Sequence, residues 1–169
     1  ENLFYLDIFT LNIVYSIVNK PFEYLNTITA SIGMLLSYIG FIFLVILSNK
    51  YGNYWHVMWC SVYGITLILL HTSSTLYHGA VSPNIKNKFH MMDQSCIYLL
   101  IAGTYTPIAL INLYGILGFS IFSVIWSLSI LGIFLKIKKI KPFSNFELFL
   151  YLFMGWFALI GIKPLIDKM

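Results

Sequence analysis

Apolar positions in this chain fall into long, nearly unbroken runs, with polar residues gathered where the runs end. About 20 residues of such character cross the hydrocarbon core of a bilayer as a helix. Five stretches come close to or exceed that length: roughly Leu25 to Leu47, Tyr54 to Tyr77, Met91 to Leu113, Gly115 to Leu135 and Phe146 to Ile162. Their ends are marked by Ser48-Asn49-Lys50, by Gly79 with Ser82-Pro83-Asn84, by four lysines from Lys136 to Lys141 with Pro142, and by Lys163-Pro164. Ahead of them, Leu3 to Val18 is apolar but interrupted by Asp7 and Asn12, which suits an interfacial helix. Residues 1–19 are therefore set apart from residues 20–169. Backbone facing lipid must satisfy its own hydrogen bonds, and these runs are too long for barrel strands. The expected fold is an all-α, polytopic helical membrane bundle.

Composition agrees. Of 169 residues, 59% are hydrophobic and 9% are charged, against about 25% charged in soluble domains. Mean hydropathy is +0.84. The net charge of +4 comes wholly from lysine among the basic residues and is scattered over short loops, so no nucleic-acid surface is implied. The lysines orient the chain instead. With the N-terminus cytoplasmic, lysines 20, 86, 88, 136, 138, 139 and 141 lie inside and 50, 163 and 168 outside, seven against three. Cys60 and Cys96 lie within apolar segments, outside any CxxC or Cys/His zinc pattern, and read as small packing residues. Glycines within or bordering the runs suit close helix contacts, and Pro107 is expected to bend the third span, with Thr104 and Thr106 compensating freed backbone groups.

Ionisable groups at membrane depth are costly and point to function. On the second span, His71, Ser74 and His78 fall within about 60° of one another on a helix. A short hairpin leads from there to Asp93 at the start of the third span, so Ser74, His78 and Asp93 can surround one polar site. Neutral imidazole ligates zinc, and a neighbouring carboxylate can orient a metal-bound water or accept its proton. His71 lies about 10 Å deeper than His78, too far to share an ion with it. His56 is at the opposite end of the span, and His90 is loop-adjacent. Each residue also has a plainer reading: His78 and His71 as hydrogen-bonding histidines, Asp93 as the N-cap of the third helix, Ser74 as a back-bonding hydroxyl.

Ser74-Thr75-Leu76-Tyr77-His78 resembles the SxxxH motif of the progestin and adipoQ receptor superfamily, in particular its hemolysin III branch. Asp93 with Ile97-Tyr98-Leu99-Leu100-Ile101-Ala102-Gly103-Thr104-Tyr105-Thr106-Pro107 is similar to the third-span motif of that family. Glu23-Tyr24-Leu25-Asn26-Thr27 resembles its approach to the first span, and Met154-Gly155-Trp156-Phe157-Ala158 through Lys163-Pro164 its fifth. The resemblance implies seven spans with the N-terminus inside, so residues 20–169 read as a hemolysin III-like domain cut after the fifth. It implies that His78 is one of three histidine ligands to zinc and that Ser74 and Asp93 hold a zinc-bound water, as in membrane ceramidases. The other two ligands would come from an HxxxH on the seventh span, which this stretch of chain does not include. Ala30 and Gln94 stand where many members carry histidine.

The function implied for the complete protein is zinc-dependent hydrolysis of a lipid amide whose acyl chain lies among the spans. Two other readings belong to different classes: a pore-forming cytolysin, and a lipid-sensing, receptor-like protein with structural zinc. Membrane lipid is the partner in all three.

Overall fold

The structure, a computed structural model, describes the backbone of residues 2–113, 115–138 and 143–157 and the side chains of residues 22–113, 115–138 and 146–157. Helices α1 (Asn2–Tyr51), α2 (Tyr54–Gly79), α3 (Pro83–Pro107), α4 (Gly115–Ile137) and α5 (Phe143–Trp156) follow one another, with a π-helical segment, Ile108–Leu113, between α3 and α4. The stretches Phe22–Tyr51, Tyr54–Gly79, Pro83–Leu113 and Gly115–Ile137 are each long and apolar enough to cross a bilayer. Phe146–Trp156 is a shorter apolar helix; residues 158–162 of the expected fifth span lie outside the described residues.

The turns explain the order. Gly52 and Asn53 separate α1 from α2, and the Asn53 side chain accepts hydrogen bonds from the backbone N–H groups of Trp55 (3.0 Å) and His56 (3.2 Å). His56, at the opposite end of α2 from His78, thus completes a capping box with Asn53. Pro83 opens α3 at a position where its missing N–H costs nothing. Gly115, with φ of +80°, opens α4 in a conformation that a side chain would strain.

Two differences from the sequence reading matter. The N-terminal segment is helical and continuous with the first span. And α3 begins eight residues before the expected start of the third span, because Asn84-Ile85-Lys86-Asn87-Lys88 is helical although polar. Hydropathy marks where hydrocarbon begins, and a helix can run on past that point into the headgroups.

Neighbouring helices pack α1 on α2, α2 on α3 and α3 on α4, with α5 against α3 and α4. Small residues allow the approach. A Cβ on Gly103 would collide with the Thr66 side chain between α3 and α2, and one on Gly64 with the Phe41 ring between α2 and α1. Lipid gives helices no hydrophobic reason to associate, so van der Waals fit of this kind carries the packing. The core lies around α3, where Tyr98, Ala102, Tyr105 and Ala109 meet Ile121 and Ile125 of α4 and Leu150 and Met154 of α5. Outward, α1 presents Leu35, Leu36, Ile42, Phe43 and Ile46, side chains that suit acyl chains. Pro107 ends the α ladder and the π segment takes over directly after it. Its lost N–H frees the carbonyl of Gly103; the Thr104 and Thr106 hydroxyls, expected to compensate such a group, bond the carbonyls of Leu100 (2.6 Å) and Ala102 (2.9 Å) instead.

Candidate functional site

The last turns of α2 carry Ser74 and His78, the first half of α3 carries Lys86, His90 and Asp93, and the membrane-entering part of α1 carries Glu23. The connection from Gly79 to Pro83 is so short that α2 and α3 run back to back, which brings these side chains to one end of the bundle. Asp93 lies beside the Ser74 hydroxyl and within electrostatic reach of the His78 and His90 imidazoles. The three residues singled out in the sequence therefore share one end of the bundle. Because α3 starts at Pro83, Asp93 is about 15 Å into the helix, and the N-cap reading of Asp93 is excluded. Ser82 occupies the cap.

Glu23 is the member that sequence reading left out of the site. His78 donates from Nδ1 to Glu23 Oε2 at 2.9 Å, and Lys86 Nζ lies 2.9 Å from Glu23 Oε1. The group is half-buried, with side-chain exposures of 21% for His78 and 33% for Glu23. The Tyr77 ring sits between the imidazoles of His78 and His90, at 4.6 and 4.8 Å between centroids, with Lys86 Nζ 5.4 Å from its centre. A carboxylate two residues before the first apolar run needs a partner, and that was the available signal. The partner's identity required three helices to be placed.

A carboxylate only accepts hydrogen bonds, so the Nδ1 of His78 carries the proton and the lone pair of the neutral ring is on Nε2. Metal-binding histidines commonly show this arrangement, one nitrogen to a carboxylate and the other to the metal. His78 thus fits one ligand position of a zinc site. Among the described residues, no three His, Cys, Asp or Glu side chains are grouped to hold a metal, whereas catalytic zinc takes about three protein ligands.

The remaining candidates separate cleanly. His71 faces α1, its ring lying where a Cβ on Gly33 would be 2.6 Å from Nδ1. His90 lines a cavity of about 740 Å³ with Asn84, Asn87, Lys88, Gln94 and Lys136 at the same end of the bundle. Cys96 is buried and Cys60 half-buried, both as free thiols.

Four long apolar helices with a cluster of ionisable side chains where three of them end define a multi-pass integral membrane protein with a polar site at one membrane face. The family profile described as Haemolysin-III related matches residues 18–169, and the chain belongs to that family. It is similar to the hemolysin-3 homolog of Bacillus subtilis (strain 168), 43% identical over 143 residues that cover 85% of this chain and 67% of the relative. It is also similar to the hemolysin-3 of Bacillus cereus, 42% identical over 147 residues, covering 87% of this chain and 67% of the relative. The chain thus spans about two thirds of the length of each. No solved structure matches it at a significant level.

Proposed function

We propose that the protein is a zinc-dependent hydrolase of lipid amides, to which this chain contributes His78 as a metal ligand and Ser74 and Asp93 as the groups that handle water. The observation that carries this reading is the engagement of His78 Nδ1 by Glu23, which leaves Nε2 for a metal beside a serine and a carboxylate. Zinc, when bound, supplies Lewis-acid polarisation of water and of the amide carbonyl. Asp93 takes a proton from the attacking water and passes it to the departing amine, so that the C–N bond breaks and a fatty acid and an amine are released. Ser74 holds the Asp93 carboxylate in place by donating its hydroxyl hydrogen. The acyl chain of the substrate lies against the apolar helix faces, and its amide reaches the site at the headgroup level.

We further propose that the N-terminus is cytoplasmic. Lysines 86, 88, 136 and 138 share the helix ends with Ser74, His78 and Asp93, which favours placing that end on the inner side.

The test is zinc content and ceramide hydrolysis by the full-length protein in detergent, beside H78A. The expected result is bound zinc and hydrolysis in the wild type and loss of both in H78A. Equal zinc content in the two proteins would overturn the ligand role. Zinc without hydrolysis would favour the lipid-sensing reading. The cytolytic reading rests on the names of the relatives.

A further inference from the structure

We infer that Glu23 is a positioning residue that, anchored by Lys86, holds His78 in the tautomer with the proton on Nδ1 and so presents the Nε2 lone pair. The inference rests on the ligand role proposed for His78, but the tautomer can be observed without any metal.

Each oxygen of the Glu23 carboxylate has its own partner. Oε2 accepts from His78 Nδ1 and Oε1 from Lys86 Nζ, both at 2.9 Å. The three residues come from three helices, α1, α2 and α3, so the imidazole is referenced to all of them at once. The backbone beneath Glu23 is helical, with the Thr27 hydroxyl bonded to the Glu23 carbonyl at 2.8 Å. The Tyr77 ring closes one side, in contact with the His78 ring and beneath the Lys86 ammonium. A free imidazole divides its proton between two nitrogens and turns about its bond to Cβ. Here the carboxylate accepts from one nitrogen only, which selects the tautomer and sets the ring plane. Lys86 adds a constraint that Glu23 alone would lack: an ammonium can only donate, so it fixes which carboxylate oxygen is left for histidine.

That asymmetry makes the inference testable with a substitution that hardly changes shape. In Glu23→Gln, Lys86 claims the amide oxygen, and the amide NH₂ is turned toward Nδ1. Nδ1 must then accept, and the proton moves to Nε2. Adding Lys86→Met removes the claim on the oxygen, lets the amide flip, and returns an acceptor to Nδ1.

The experiment is ¹⁵N NMR of histidine-labelled full-length protein in lipid nanodiscs, metal-free, at a pH where the ring is neutral, with H78N identifying the His78 signals. Wild type should show a protonated Nδ1 and a bare Nε2, E23Q the reverse, and E23Q/K86M the wild-type pattern. Zinc titration of the same proteins should follow, with affinity falling about 10- to 100-fold in E23Q and recovering in E23Q/K86M. Unchanged signals of the other histidines show that the bundle is intact in each variant. A His78 pattern identical in wild type and E23Q would overturn the inference, as would an E23Q inversion that Lys86→Met fails to reverse. A wild-type protein that binds no zinc would defeat the proposed hydrolase while leaving the tautomer result to decide the role of Glu23.

Discussion

Asp93 shows what a single residue can do once its helix is placed. It is too deep in α3 to serve as a cap, and it lies beside the Ser74 hydroxyl and within reach of two imidazoles. Asp93→Asn keeps the shape and removes the proton acceptor. Amide hydrolysis should fall by about 10²- to 10⁴-fold with zinc content and thermal midpoint unchanged; a variant that hydrolyses at the wild-type rate would remove Asp93 from the mechanism. Ser74→Ala should raise the barrier less, by about 1.5–3 kcal/mol, the worth of a hydrogen bond to a charged group. Ser74, His78 and Asp93 could be found in the sequence because their motifs interrupt apolar runs. Glu23 could not be assigned, because its 55-residue separation from His78 is bridged only when α1 and α2 lie side by side.

Helices in this bundle are held by two kinds of contact, small residues that admit a neighbour and polar pairs that cross between helices. Gly103 belongs to the first. Gly103→Ala would push a methyl group into Thr66, and overpacking of this sort costs about 1–3 kcal/mol. Combining it with Thr66→Ala should recover part of that loss in thermal unfolding, and strict additivity of the two would mean the helices do not touch there. Lys136 and Glu147 belong to the second. Lys136 Nζ reaches both Glu147 oxygens, at 2.9 and 2.7 Å, and the Tyr151 hydroxyl lies 2.9 Å from Glu147 Oε1 and from the Gln94 carbonyl, so α3, α4 and α5 are joined. Glu147 is buried. Lys136→Met should destabilise by about 3–5 kcal/mol, because it strands that carboxylate, whereas an apolar pair at both positions should come close to neutral. A thermal midpoint for Lys136→Met equal to that of the wild type would show that the pair carries no such burden.

For the molecule as a whole, the proposed orientation sets the site on the cytoplasmic face. Val81, 95% exposed in the turn between α2 and α3, is a reporter for it. In cells, Val81→Cys should resist a membrane-impermeant maleimide until the membrane is inverted or opened. Labelling of intact cells would reverse the topology and put the site outside.

Membrane class and the approximate limits of the first four spans follow from hydropathy alone, because burying about 20 apolar residues in hydrocarbon requires a contiguous stretch and leaves a local trace. The interruption at Pro107 is likewise local, since its missing N–H acts within one turn. The true start of α3 left no trace in hydropathy, and its only local mark was the pair Ser82-Pro83 that caps and opens the helix. The partnership of Glu23, His78 and Lys86, the seat of His71 against Gly33 and the tie from Lys136 to Glu147 left none either. Those contacts join different helices, and their geometry exists only after the helices have packed and chosen which faces to turn toward one another.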